Sequence, residues 1–423
     1  MLVEFKVGNF RSFKDLVTLS MVASADKEHL ETNTIKVDDK LRLIKSSALY
    51  GANASGKSNL FNAMAFMKNF ILTSSKESLS PEKIPVEPYR LSSETEKLPS
   101  SFEMVFILDN IRYRYGFQVD RNHVYNEWLF FVPGSREAKL FIREKDKIEI
   151  GSYFKEGKGL ESKTRSNALF LSVVDQFNGE RSRKILEWFN HCKIFSGLED
   201  MRYEGYPSSI LDEDDKEFKE FMLKFSKVAD MGIKELGVVS TPILPEEILD
   251  VESFAISNEG DLMEVEIHTI HQKYDGNNKP VSHEKFSMSK HESAGTQAFF
   301  AFSGPLYDVL RNGKVLVIDE LTSKLHPLLT RAIVELFHHH NVGKDSSSIS
   351  KAQLLFASHD TSILTNQLFR RDQLWFTQKS ECGATDLYSL EEYRVRKDAS
   401  FNKDYMLGKY GAIPFIGDID SLF

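Results

Sequence analysis

Gly51-Ala52-Asn53-Ala54-Ser55-Gly56-Lys57-Ser58 reads G-x-x-x-x-G-K-S. It follows the apolar segment Ser47-Ala48-Leu49-Tyr50. It leads into a run where Leu60, Phe61, Met64, Met67, Phe70 and Ile71 recur at helical spacing. A strand, this loop and a helix make the pattern a P-loop, where a structural glycine-rich turn is the alternative. Backbone N–H groups of such a loop wrap a polyphosphate, with glycine where the chain must turn tightly against it. The helix behind points its positive end at the same phosphates. Gly51, Asn53, Ala54, Ser55, Gly56, Lys57, Ser58 and the following Asn59 are therefore the candidate nucleotide contacts. Lys57 is expected to reach the β- and γ-phosphates and Ser58 to sit on Mg²⁺. Such a loop reads phosphates and not the base, so it does not choose between ATP and GTP.

Working outward, residues 1–22 read as a hairpin, with strands Leu2–Val7 and Leu16–Val22 around a turn containing Arg11. Arg11 is a plain turn residue or a nucleotide contact. Residues 72–100, rich in Ser, Pro, Lys and Glu, read as an extended surface connection. Phe102, Met104, Phe106 and Leu108 alternate up to Asp109-Asn110, and Ile111 to Val119 alternate back, a two-residue hairpin. Val124–Val132 and Leu140–Ile150 continue as antiparallel strands. Helical spacing follows at Ile185, Leu186 and Phe189, and again from Phe218 to Val228, with Gly232 as its cap. Leu262–His268 and Val281–Met288 return to strands around a turn at Asp275–Asn278.

A second group of polar residues arrives late in the chain. Val315-Leu316-Val317-Ile318 reads as a buried parallel strand and ends in Asp319-Glu320. A carboxylate there stands where an open α/β sheet places its ligand site. Asp319 is expected to hold Mg²⁺ and Glu320 to polarise an attacking water. Leu354–Ala357 is another strand, followed by Ser358-His359-Asp360, which brings His359 toward the γ-phosphate. Ser293 to Asn312 reads as a helix interrupted by Pro305 and closed by Gly313. Its Ser293 and Gly295 form either an anion site or a simple cap.

Composition bounds the class. At 423 residues the chain has room for two or three domains. With 41% hydrophobic and 27% charged residues it reads as an ordinary soluble protein. No apolar run approaches the ~20 residues of a membrane span. The opening Met1-Leu2-Val3-Glu4-Phe5 is a strand pattern rather than a signal peptide. The two cysteines, Cys192 and Cys382, lack metal spacing and read as reduced thiols of a cytoplasmic protein. The net charge of −8 argues against wholesale nucleic-acid coating. Arg370-Arg371 and Arg394-Val395-Arg396-Lys397 read as solvated surface, with a basic patch for a partner or nucleic acid as the alternative. His338-His339-His340 suits a helix end, with a metal site as the minor reading.

The order of P-loop, S-A-G-T-Q (293–297), V-L-V-I-D-E-L-T-S-K-L-H-P (315–327) and A-S-H-D (357–360) resembles the ABC-type ATPase heads of the SMC, RecF and DNA-repair group. That resemblance implies an α/β head: an antiparallel β lobe, a mixed or parallel P-loop core and a helical insertion. Its divisions would be an N-terminal part (1–180), the insertion (181–243) and a C-terminal part (244–423). It implies hydrolysis of ATP with Mg²⁺, and dimers or larger oligomers in which Ser293 and Gly295 act on the partner's γ-phosphate. Thr322-Ser323-Lys324-Leu325 would meet its twin, and His359 would be the switch histidine. The opening N-F-R-S-F (9–13) strengthens Arg11 as a nucleotide contact. Gln176 is a candidate Q-loop ligand of the metal, against an ordinary helix.

A closer resemblance takes in E-S-A-G-T-Q, I-D-E-L-T-S-K-L-H-P-L-L-T, A-Q-L-L-F-A-S-H-D, Tyr393–Asp398 and Tyr405–Pro414. It is to the RloA-like ATPases of abortive-infection and anti-phage loci, and it implies control of a separately encoded effector, often a nuclease or toxin. Thr322 departs from the aspartate of many relatives, and Ala54 and Ala294 are small replacements. Without a sustained heptad run, an SMC-like tether is not expected. The 64 residues after His359 are too few for a typical nuclease domain, so effector activity is expected of another protein. A RecF-like ATPase that binds DNA ends or gaps is the rival reading, and a sensor without useful turnover is a third.

Overall fold

The structure is a computed structural model. It describes residues 1–76, 83–197, 216–229, 231–242, 254–256, 262–322, 325–339, 351–396 and 399–414. Ser323, Lys324, His340, Lys397 and Asp398, all read above from sequence, lie outside these.

The P-loop strand Ser46–Gly51 lies inside a six-stranded sheet. Its order is 193–195, 315–318, 353–357, 46–51, 374–379, 385–389. Every pairing is parallel except the last, where Leu374–Lys379 meets Thr385–Ser389 antiparallel. Alternate residues of each strand point to opposite faces, and both faces are covered. Leu49, Val315, Val317, Leu355, Ala357 and Trp375 enter one core. Ala48, Tyr50, Leu316, Ile318, Leu354, Phe356, Leu374 and Phe376 enter the other. This is why these strands read as continuous apolar runs.

The first core joins the P-loop sheet to a seven-stranded antiparallel sheet. Its order is 147–150, 138–144, 124–132, 111–119, 100–108, 2–8, 17–20. The P-loop helix Lys57–Thr73 lies in this core and buries Leu60, Phe61, Ala63, Met64, Met67, Phe70 and Ile71. A large apolar side chain taken out of water contributes about 1.5–3 kcal/mol, so this face holds the helix more firmly than its propensity does. The Asp109-Asn110 turn has φ of 51° and 59°, the left-handed pair that a two-residue hairpin needs. Lys145, at φ 53°, divides the stretch read as Leu140–Ile150 into paired strands 138–144 and 147–150.

The second core carries the helices Ala294–Asn312 and Pro327–His339. Helix Ala294–Asn312 keeps Pro305 inside and ends at Gly313 with φ 63°. A third sheet pairs 233–242 and 254–256 with 262–274, which also pairs with 280–287. Between residues 180 and 229 the described helices include Glu180–His191 and Lys216–Val228. The same stretch also supplies Lys193–Phe195 to the edge of the P-loop sheet, so it is woven into the core. Gly232, at φ 68°, opens the strand Ile233–Pro242 instead of directly closing the helix that ends at Val228.

Two surface readings are corrected. Within residues 72–100, Ile84, Val86 and Tyr89 are buried, and the Tyr89 hydroxyl donates to the Cys382 carbonyl at 2.6 Å. Arg370 is fully buried. Its guanidinium pairs with Asp372 at 2.6 Å and donates to the carbonyls of Asp26 (2.9 Å) and Glu28 (2.6 Å). Arg371 pairs with Asp26 at 2.7 Å, so neither arginine offers a basic patch. His338 is buried beside Ser46 Oγ (2.7 Å) and Gln373 Nε2 (3.2 Å), a core histidine under the P-loop strand.

Glu127 is a buried carboxylate in the antiparallel lobe. It accepts from the amides of Phe170 (2.7 Å) and Leu171 (3.0 Å) and from the Tyr115 hydroxyl (2.9 Å), with Arg143 at 3.7 Å. Burial pushes its carboxyl up, and Arg143 opposes that. Glu127→Ala leaves both amides and the Tyr115 hydroxyl without their acceptor and removes the counter-charge of Arg143. It should destabilise the protein by about 3–5 kcal/mol, read as a lower urea midpoint. A loss below about 1 kcal/mol would mean the pair is no better than a surface ion pair.

Candidate functional site

Strands 46–51, 353–357 and 315–318 run parallel, so their C-terminal ends meet at one edge of the sheet. Gly51 and the P-loop leave the first, Ser358-His359 the second and Asp319-Glu320 the third. Backbone bonds hold the ends in step: Ser358 N–H donates to Leu49 O (3.1 Å), and Leu321 N–H to Ala357 O (3.3 Å).

Lys57 is buried, and its ammonium donates to the carbonyls of Gly51 (2.9 Å) and Ala52 (3.1 Å). Burial lowers its pKa, while Asp319 and Glu320 act to raise it. The Asp319 carboxyl is raised by burial and by Glu320, against a hydrogen bond from Ser58 and the charge of Lys57. Asp319 Oδ1 is buried without a hydrogen-bond partner. An orphaned carboxylate oxygen beside a serine hydroxyl is the oxygen donor set that Mg²⁺ takes, with water and phosphate completing its shell. His359 is held below the ordinary imidazole range by burial and by Lys57, so it is neutral near pH 7. A cavity of about 300 Å³ opens beside it, lined by Glu320, Thr322, Leu325, Pro327, His359 and Asp360. Glu320 has φ 54°, an uncommon left-handed backbone for a non-glycine residue. Such conformations persist where the surroundings over-determine them, often at working sites.

The loop has no room to spare. Gly56 has φ 115°, and a Cβ there would lie 2.3 Å from Thr385 Oγ1. A Cβ on Gly51 would lie 2.5 Å from Thr377 Oγ1. Ala54 is left-handed at φ 60°, and Asn53 and Ala54 are exposed. Ser55 Oγ is 2.6 Å from Thr377 Oγ1, and Thr385 Oγ1 donates to Ser55 O at 2.8 Å. Asn59 Nδ2 donates to Ser12 Oγ at 2.8 Å, and the Ser12 hydroxyl lies 2.8 Å from Thr385 Oγ1. The N-terminal hairpin turn therefore lies against the start of the P-loop helix, with Arg11 one residue from the contact. Arg11 itself is turned to Glu87, whose Oε2 is 3.6 Å from its Nε. Sequence reading missed Ser12, Thr377 and Thr385. The two threonines lie more than 300 residues from the loop, outside any motif.

Two groups of expected residues lie apart. Gln176 is exposed and ends the helix Phe170–Gln176. That helix packs on the far end of the P-loop helix, where Ser172 Oγ donates to Ile71 O at 2.6 Å and Leu169 N–H to Ser74 Oγ at 3.2 Å. It is the ordinary helix, and Gln176 is not brought to the metal position. Ser293 caps its helix, accepting from Thr296 N–H at 3.1 Å, and is exposed, with Gly295 half-buried. At this helix start Glu292 bonds to His271 of the third sheet, and Gln297 donates to the Ser289 carbonyl in the turn before it.

Residues 46–365 match the family described as "AAA domain, putative AbiEii toxin, Type IV TA system". The chain belongs to this AAA family. The matched stretch of the AAA domain runs from the P-loop strand past His359. Solved structures similar to it include the SMC head domain of Thermotoga maritima, at 11% identity and TM-score 0.39, covering 92% of this chain and 98% of that one. An SMC head bound to the C-terminal winged-helix domain of ScpA has 14% identity and TM-score 0.41, with 92% and 97% covered. A Pyrococcus yayanosii SMC head with coiled coil and joint has 11% identity and TM-score 0.41, with 93% and 99% covered. No curated protein matches the AAA domain. Among the described residues no helix is long and apolar enough to cross a membrane.

Gly56→Ala imposes both the left-handed backbone and the clash with Thr385. It should weaken binding of a fluorescent ATP analogue by at least about tenfold, a strain of 1–3 kcal/mol sufficing. Unchanged affinity would show that phosphate is held elsewhere.

Proposed function

We propose that this AAA domain is an ATP-hydrolysing, ABC-type subunit of an abortive-infection defence system, of RloA-like kind. In this reading it dimerises around ATP and controls a separately encoded effector. The observation that carries the reading is the gathering of Lys57, Ser58, Asp319, Glu320 and His359 at one sheet edge. Ser293 and Gly295, meanwhile, stand at a separate helix start where Ser293 is exposed. A site with its phosphate cradle, acid and histidine in place, and an exposed helix start left over, is one that a second copy completes.

Lys57 exchanges the Gly51 and Ala52 carbonyls for phosphate oxygens, which are better partners for a desolvated ammonium. The P-loop amides and the helix start bind the remaining phosphate charge. Ser58 and Asp319 would hold Mg²⁺, which when bound would neutralise charge on the phosphates. Glu320 orients water for in-line attack, and His359 holds the γ-phosphate oxygen through a neutral ring nitrogen. The partner's Ser293 hydroxyl and the amides of its helix start close the other side. The family description, with its toxin, supports the defence setting. Burial and pairing of Arg370 and Arg371 remove one surface that DNA binding would have used.

Glu320→Gln keeps the side-chain shape and removes the base. Turnover should fall by about 10²-fold or more, and mass photometry with Mg-ATP should show a doubled mass. The same protein with the neighbouring gene product should form a complex whose mass depends on nucleotide. Persistence as a monomer at saturating ATP would end the composite-site reading. Gain of mass on gapped DNA, without interest in the neighbour, would favour the repair reading.

A further inference from the structure

Thr269 and His271 stand two residues apart on the strand Leu262–Tyr274, and their side chains meet Glu292. His271 Nε2 is 2.7 Å from Glu292 Oε1, the Thr269 hydroxyl donates to the same oxygen, and the two partners are 3.2 Å apart. Thr269 is fully buried, and the Glu292 side chain is only 10% exposed. Glu292 immediately precedes Ser293. Three further bonds latch the same turn. His291 Nδ1 accepts from Ser287 N–H at 2.9 Å, and Gln297 Nε2 donates to the carbonyls of Ser289 (3.0 Å) and Glu292 (3.1 Å). On its other side the turn is open, with Ser293 and Ala294 exposed. The two strands that carry the latch continue outward as a ribbon exposed from Lys273 to Lys285.

A carboxylate taken largely out of water is stable only while its donors stay in place. The Ser293 cap fixes only one amide of the first helical turn, whereas the Glu292 carboxylate fixes the segment that delivers Ser293 to that position. It also places negative charge at the positive end of the helix. We infer that Glu292, gripped by Thr269 and His271, is a positioning residue that makes the projecting ribbon and the exposed Ser293–Gly295 face one rigid body. Displacement of the ribbon then displaces the face that a second copy's nucleotide meets. The inference rests on the composite-site reading for its consequence, and on the contacts above for the anchor itself.

The test uses the full chain carrying Glu320→Gln, with and without Glu292→Ala. Glu292→Ala should weaken Mg-ATP-driven dimerisation about tenfold, while the affinity of the monomer for a fluorescent ATP analogue changes less than about twofold. Glu292→Gln keeps an acceptor for Thr269 and should recover most of the dimer. Hydrogen exchange without nucleotide should be faster at residues 296–304 in Glu292→Ala. Dimerisation as tight as the parent's overturns the positioning role, whatever the exchange shows. If the Glu320→Gln parent never dimerises, the composite-site reading fails, and exchange alone judges the anchor. Unchanged exchange then overturns it, and faster exchange upholds it.

Discussion

Parallel pairing of three short strands is the constraint on which the rest of this protein depends. Parallel neighbours cannot be joined by a tight turn, so the chain must leave the sheet and return between each of them. Here the excursion from Gly51 to Val315 contains five strands of the antiparallel lobe, the helices of 180–228 and the third sheet. The return brings Asp319, Glu320 and His359 to the edge where the P-loop begins. Burial on both faces holds the strands in register, and the open edge is left for polar chemistry.

That edge is in electrostatic tension. Lys57 and Asp319 are both mostly out of water, and each is disturbed by the burial that positions it. They partly relieve one another, and loop carbonyls and Ser58 supply hydrogen bonds. Asp319 Oδ1 and Asp360 Oδ2 remain unpartnered, and Glu320 sits on a left-handed backbone. Departures from local ease at the meeting point of several strands are what a binding site, rather than a stabilising core, would carry.

The opposite end of the P-loop strand is held by neutral and paired polar groups. Gln373 donates to Ser46 O (3.0 Å) and Ser46 Oγ (2.8 Å), and accepts from Asn33 Nδ2 (2.8 Å). Gln353 accepts from Leu2 N–H (2.6 Å) and donates to the carbonyls of Leu2 and Ile44. The first strand of one sheet is thereby tied to the other. Arg370 belongs to the same fabric through the carbonyls of residues 24–28. A reading from sequence assigns Arg370 and Arg371 to the surface because their partners, Ser24 to Glu28, lie hundreds of positions away. Gln176 fails for the related reason that a glutamine beside an apolar run carries no mark of which end of a helix it will face.

What the sequence determined by itself was whatever depends on neighbours along the chain. The P-loop, the period-two alternation around Asp109-Asn110, the apolar run ending in Asp319-Glu320 and the Ser293 to Gly313 helix all follow from local sterics and from alternation between water and core. Tertiary structure decided what depends on distant partners. It brought Thr385 against Gly56, set Ser12 on Asn59, buried Arg370 and His338, and left Gln176 far from the phosphates. It also gripped Glu292 from a strand more than twenty residues upstream. Hydrogen bonds and close contacts of that kind are fixed by where strands end in space, and residue spacing along the chain does not encode it.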